Sequence, residues 1–310
     1  MEELPKLYRN MTYQQQAILR TVLYSDLFAF PLAKEELWKF LITRRPLSKK
    51  GFEKVLQDGI PHVITKDGLY CLSGSEASLS KREEHRELFL QKMHAANTIA
   101  QKLSYIPTIL FIGVSGSLAV GDARPQDDID FFIITKKETL YSTRLIILSL
   151  LEAYGLRRRA GEQTAPDKVC VNLLIDETHL HWEKAKQNLY TAHEIAQVRP
   201  LFERENIFRR FLAANDWIHT FLPNSTQELL PIVGRIWRRE YLVLHVLQSL
   251  LSKGLIINVS KALQLRTIRK HHTHEIVTKH KLAFHPYNYE THILRNFREK
   301  CEKVGLLTKF

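Results

Sequence analysis

Two apolar runs, Ile109–Val114 and Ile129–Thr135, flank a polar segment that begins Ser115-Gly116-Ser117 and enters the second run through Asp128-Ile129-Asp130. Apolar runs of this length with little alternation read as strands buried on both faces. Two aspartates one residue apart on a strand project from the same face, here among Ile129, Phe131, Phe132 and Ile133. Crowded carboxylates in a partly buried place repel unless a cation lies between them. The pattern therefore demands a sheet edge at which a Gly-Ser turn meets a carboxylate pair open to a charged ligand. A capping Asp128 and an ion-paired Asp130 would ease the charge but leave the Gly-Ser at this spacing unexplained. A helix over 137–154, ended by Gly155, and a strand over 169–175 follow. Strand, turn, strand, helix, strand predicts a small mixed sheet backed by helices, an α+β core.

The residue types suit transfer of a phosphate-bearing group. Small residues let backbone amides approach a phosphate, and a hydroxyl can bond it, which fits Ser115, Gly116 and Ser117. Paired carboxylates offer oxygen ligands to hard Mg2+ or Mn2+. Gly-Ser, the spacer 118–127 and Asp-x-Asp in a strand together resemble the signature of the DNA polymerase beta superfamily of nucleotidyltransferases. Within it they are closest to the minimal nucleotidyltransferases, whose pattern runs Gly-Ser-x-Ala-Arg-Gly and then Ser-Asp-Ile-Asp. Gly116, Ser117, Ala119, Gly121, Asp128, Ile129 and Asp130 fall on that pattern; Val120 and Asp127 replace its Arg and Ser.

The resemblance implies a nucleoside triphosphate substrate with its phosphates at Ser115, Gly116 and Ser117. It also implies a metal pair about 3.5–4 Å across, held by Asp128 and Asp130. A third carboxylate on a later strand usually serves as metal ligand or base; here the residue read into that place is Asn172. An amide can coordinate through oxygen but is no base at neutral pH. Asp176 shares its parity but lies roughly 13 Å further along the strand, which leaves Asp176, Asp167 or the helical region as sources of the acid. Arg144, Arg157, Arg158 and Arg159 either contact the triphosphate or answer the helix-end dipole.

Residues 13–73 predict three short helices (13–24, 34–41, 49–57) and a hairpin of 62–65 and 69–72 turned by Lys66-Asp67-Gly68. That order resembles a winged helix, whose third helix often enters the DNA major groove. Lys49 and Lys50 at its start, with Arg44 and Arg45 before it, fit a nucleic-acid contact; a protein-contact module fits equally. A polar, then helical stretch connects this unit to the core.

Beyond residue 183 the chain reads as wholly helical, with segments at 189–198, 203–221, 232–252 and 287–304 broken at Pro200, Pro223, Gly254 and Pro286. The formal charge is +12, and residues 231–310 hold 15 Lys or Arg against 5 Asp or Glu, a net +10. One-signed charge attracts polyanions, so Arg266, Arg269 and Lys270 are candidate nucleic-acid contacts. His271, His272, His274 and His280 lack a tetrahedral ligand constellation and fit that basic face better than a zinc site. Trp217, Trp237 and Tyr241 occupy helical stripes as core residues rather than base-stacking platforms.

Cys71, Cys170 and Cys301 stand apart without a CxxC pair, as in a reducing cytoplasm. The start lacks a signal-peptide pattern, and His245, Gln248 and Lys253 interrupt the longest apolar run, so no membrane segment is expected. The expected organisation is a winged helix at 1–78, a connecting helix at 79–104, a nucleotidyltransferase core at 105–182 and a basic helical domain at 183–310. The expected function is transfer of a nucleoside monophosphate to a nucleic-acid acceptor, RNA in preference to DNA, with protein and small-molecule acceptors open. A non-catalytic nucleic-acid-binding regulator, or one half of a toxin–antitoxin pair, is the alternative that Asn172 favours.

Overall fold

The computed structural model describes residues 11–159, 161–162, 164–225, 261, 264, 276–284 and 289–306. Its N-terminal unit comprises α1 (Tyr13–Asp26), β1 (Leu32–Ala33), α2 (Lys34–Lys39), α3 (Lys49–Asp58), β2 (Val63–Lys66) and β3 (Leu69–Leu72). Helices and hairpin stand where the sequence predicts them. Thr12 opens α1 with a capping box: its hydroxyl accepts from the Gln15 amide, and the Gln15 side chain accepts from Thr12 N. Ser48 caps α3 by accepting from Gly51 N at 3.1 Å. Asp67 and Gly68 both take positive φ, 53° and 76°, as a tight hairpin turn requires. The short β1 adds antiparallel to β3, giving a three-stranded sheet of order β1-β3-β2.

Helix α4 (Ala77–Ser104) leads into β4 (Ile109–Val114), α5 (Gly116–Val120), β5 (Ile129–Thr135), α6 (Leu140–Ala153) and β6 (Val169–Asp176). Then come α7 (Leu189–Gln197), β7 (Arg199–Glu203), α8 (Ile207–Ala214), β8 (Ile276–Val277), β9 (Lys281–Ala283) and α9 (Tyr289–Lys303). The large sheet has the order β7-β4-β5-β6-β9-β8, with β5 and β6 parallel across α6 and the other neighbours antiparallel.

The region beyond 183 is therefore not wholly helical: β7 closes one sheet edge and the β8–β9 hairpin extends the other. Pro200 reads as a helix break, but on an edge strand its missing N–H removes no necessary ladder bond. Strands as short as β8 and β9 carry no period to detect. Helices α7, α8 and α9 lie in expected segments, whereas 232–252 falls outside the described residues. No helix among the described residues is long and apolar enough to cross a membrane.

Both faces of β5 are buried. Phe131 and Ile133 pack with Ala96, Ile99 and Leu103 of α4 and Ile147 and Leu151 of α6. Phe132 and Ile134 face the other way, into a core shared with α1, α7, α8 and α9. Asp128 and Asp130 have the parity of Phe132 and Ile134, so alternation aims them toward the side covered by the N-terminal unit and α7.

Candidate active site

Ser115 follows β4 and donates its N–H to the Asp130 carbonyl at 2.9 Å, tying the turn to the second strand. Gly116 follows at φ +66°, and a Cβ there would lie 2.8 Å from Asp130 Oδ2. Only glycine combines that left-handed backbone with so close an approach. Ser117 Oγ donates to Asp127 Oδ2 at 3.1 Å, and the same oxygen accepts from Arg124 N at 3.2 Å. The aspartate at the position where the family pattern has serine thus fastens the two halves of the loop. Lys92, 2% exposed, reaches from α4 to donate to the Asp127 carbonyl at 2.7 Å and Asp167 Oδ1 at 2.8 Å.

Asp128, Asp130 and Cys170 each bring one ligand atom within 4.8 Å of the others. Burial first, and the Asp128 charge second, push the Asp130 carboxyl up to about 8 against the pull of Arg158. Burial, followed by the two carboxylates, holds the Cys170 thiol well above its ordinary value. Arg158 Nη1 sits 2.6 Å from Asp128 Oδ2, which makes it the one of the four candidate arginines at the pair. Arg157 and Arg159 bind Glu152. Arg144 turns away: it donates to Gln264 at 2.8 Å and lies 4.4 Å from the Phe284 ring, so its expected place beside the phosphates is not where the fold puts it.

The register of β6 revises the third position. Asp130 pairs with Cys170 and Phe131 with Val171, but Phe132 pairs with Leu173. The extra residue in this bulge is Asn172, whose carbonyl accepts from Phe284 N at 2.9 Å. Cys170, not Asn172, stands level with Asp130; Asn172 lies one step along and lines the cavity beside it. Neither alternative acid reaches the site. Asp167 is held by Lys92. Asp176, fully buried at the other end of β6, accepts from Thr178 N at 3.0 Å and from His280 Nδ1 at 2.7 Å.

A cavity of about 340 Å3 opens beside Asp130, Gly116, Ser117 and Asn172 and continues between the N-terminal unit and α7. Tyr24, Phe28 and Phe40 form one wall. The opposite wall is a helical stripe of α7, Tyr190, His193, Glu194 and Gln197, at i, i+3, i+4 and i+7. Burial pushes the Glu194 carboxyl up to about 7 and holds His193 neutral, its pKa down at about 3. Glu194 and Cys170 are the site residues that motif reading missed; Arg158 is among its four candidate arginines. The stripe was visible as helix 189–198, but nothing local in the sequence says that the N-terminal unit folds over it.

Lys49 and Lys50 are exposed at the start of α3, outside the cavity lining. Arg266, Arg269, Lys270, His271, His272, His274, Trp237 and Tyr241 lie outside the described residues. Trp217 packs partly buried against the core. His280 serves Asp176, with its ring stacked 3.7 Å from that of His179.

No curated protein and no solved structure matches this chain. The family model described as nucleotidyltransferase domain matches residues 96–204, a span that runs from the second half of α4 through the Gly-Ser turn, the aspartate pair and β6 to the end of β7. The chain thus carries a nucleotidyltransferase domain, of the DNA polymerase beta-like kind, over residues 96–204.

Proposed function

We propose that this chain transfers a nucleoside monophosphate from a nucleoside triphosphate to an acceptor hydroxyl. One observation carries the reading: the left-handed Gly116 brings the Ser115-Gly116-Ser117 turn directly against Asp130 Oδ2, so that a phosphate-binding backbone and a carboxylate of the pair meet at a single point. Ser115, Gly116 and Ser117 hold the phosphates. Asp128 and Asp130 hold Mg2+ or Mn2+; two carboxylates suit a hard cation, and a thiol held neutral at Cys170 does not compete for it. When bound, the metal neutralises charge on the attacking and leaving oxygens. Arg158 keeps Asp128 compensated before the triphosphate arrives and then contacts phosphate oxygens.

The N-terminal unit is a winged helix in this reading, supported by its element order and three-stranded sheet, and it contacts nucleic acid or a protein partner through the α3 end bearing Lys49 and Lys50. The +10 charge of residues 231–310 supports a nucleic-acid acceptor, an RNA end in preference to DNA, bound in part by Arg266, Arg269 and Lys270. The separated thiols fit the cytoplasm. A second reading, a catalytically silent regulator or toxin–antitoxin component, draws on the Arg158–Asp128 ion pair and on the neutral Cys170 and Asn172 at the third position. Incubation with each α-labelled triphosphate, Mg2+ and total cellular RNA separates the two. Label transfer by wild type and none by Asp130→Ala supports the enzyme; no transfer with any triphosphate leaves the regulator.

A further inference from the structure

Transfer to a hydroxyl requires a group that takes its proton, and beside the aspartate pair β6 offers only Cys170 and Asn172. Across the same cavity stands Glu194 on α7. Leu189, Ala192, Ile195 and Ala196 anchor α7 in the core, which turns the stripe bearing Glu194 toward Asp130. Among the described residues the Glu194 carboxylate makes no hydrogen bond or ion pair. Beside it His193, 4% exposed, stacks on Tyr24 with centroids 4.2 Å apart. Gln197 lies 3.4 Å from His193 Nδ1; as the donor there, it leaves the ring proton on Nε2, a buried N–H with no partner among the described residues. A buried donor left unsatisfied is costly, so this one points to a ligand atom.

We propose that the cavity between α7 and the N-terminal unit is the acceptor pocket and that Glu194 is the base that deprotonates the acceptor hydroxyl, an assignment that rests on the nucleotidyl-transfer reading. The proton passes to the Glu194 carboxylate as the acceptor oxygen bonds the α-phosphorus. The bond from that phosphorus to the bridging oxygen breaks, pyrophosphate leaves with the electron pair, and Glu194 returns the proton to solvent. The Tyr24, Phe28 and Phe40 rings and the His193 N–H fit a flat ring carrying a hydrogen-bond acceptor. At about 340 Å3 the cavity is at the small end of ligand pockets and admits one such ring, from a free small molecule or from the terminal nucleoside of an RNA.

The titratable groups around Glu194 in the cavity are Asp130 on β5, Tyr24 on α1, Tyr190 and His193 on α7, and Tyr289 on α9. Glu36 on α2 is taken up by Arg82, and Asp122 after α5 by His85. No cation among them competes for the Glu194 charge, and enclosure holds its carboxyl near neutrality, where a base works best.

The test follows transfer from α-labelled ATP, GTP, CTP and UTP with Mg2+, to total cellular RNA in one arm and to the protein-free small-molecule fraction of a cell extract in the other. Wild type, Glu194→Gln and Glu194→Asp are compared from about pH 5.5 to about 9, and the rise in Tm with each Mg-triphosphate is read alongside. Expected is a loss of about 10^2- to 10^4-fold in Glu194→Gln with its acid limb gone. Glu194→Asp keeps part of the rate with the acid limb moved, and all three proteins show the same triphosphate-induced Tm rise. The labelled arm identifies the source of the ring. Glu194→Gln transferring at the wild-type rate, an unmoved acid limb in Glu194→Asp, or a lost Tm rise in Glu194→Gln overturns the base alone. A wild type silent in both arms overturns the transfer reading and the base together.

Discussion

The two ends of the β5–β6 pair each carry a three-group cluster, and their aspartates are treated in opposite ways. Asp176, with His179 and His280, is fully buried; burial alone would raise its pKa, but hydrogen bonds from Thr178 and His280 outweigh it and hold the carboxyl below its ordinary value. Asp130, with Asp128 and Cys170, is pushed up to about 8 by burial and by Asp128. One end has spent its acceptor oxygens on neighbouring donors. The other keeps two carboxylates crowded, with a single arginine answering them. A buried carboxylate that is satisfied serves the fold, and one left in conflict is poised for a ligand.

The largest effect that could break this contrast is on transfer. Asp130→Ala should lower label transfer by about 10^3-fold or more, the equivalent of several kcal/mol of lost charge stabilisation. Asp176→Ala, measured in whatever fraction is folded, should leave it within a few-fold. Equal losses in both variants would erase the distinction. Stability should invert the order. Asp176→Ala strands the Thr178 and His280 donors and should cost about 2–3 kcal/mol in urea unfolding, while metal-free Asp130→Ala loses nothing because a repulsion disappears with the carboxylate. Should Asp130→Ala prove as destabilising as Asp176→Ala, Asp130 is a structural residue.

The contrast also has opposite signs in pH. Asp176 is depressed in the folded state, so its stabilisation is present above the unfolded value of 3.8 and is lost as pH falls through the lower folded value. Asp130 is raised, so stability is greatest below 3.8 and declines as pH rises toward about 8, because the unfolded chain ionises first. Metal-free wild type should therefore lose stability between about pH 4 and 8 relative to Asp130→Asn, and Mg2+ should remove most of that difference. Parallel stability curves for the two proteins without metal would show that Asp130 is not held in conflict.

The sequence made part of this legible and hid the rest for identifiable reasons. Strands β4, β5 and β6 and the meeting of the Gly-Ser turn with the Asp128 and Asp130 pair are local patterns, readable from spacing and residue type. Cys170, not Asn172, stands level with Asp130 because the register between two strands leaves no local signal in either, and the bulge that follows between the Phe131 and Phe132 pairs has no hydrophobic period. Strand β7 was masked by Pro200, which means a break in a helix but is tolerated on an edge. Glu194 and the aromatic wall of Tyr24, Phe28 and Phe40 meet through contacts between segments about 170 residues apart. Only the packing of the N-terminal unit against α7 brings them together.

The smallest expected effect asks which β6 residue occupies the place where a third carboxylate would join the pair. Cys170→Asp and Asn172→Asp each add one carboxylate to the same wall, and the free proteins should both lose stability because charges of one sign are brought closer. With Mg2+ the two should part. Cys170 is level with Asp130 and shares its 4.8 Å cluster, so the new carboxylate in Cys170→Asp meets the cation directly. In Asn172→Asp it lies one step along the strand, on the bulge itself, and faces the cavity. Stabilisation by a ligand grows as RT ln(1 + [L]/Kd), so a tenfold tighter Kd adds about 1.4 kcal/mol at saturating Mg2+. The Mg-induced rise in Tm should therefore be larger in Cys170→Asp than in wild type, with Asn172→Asp between them. A larger rise in Asn172→Asp would move the third position onto the bulge and make Cys170 a neutral spacer. Equal rises in all three would place the cation on the Asp128 side, away from β6, where Arg158 now sits.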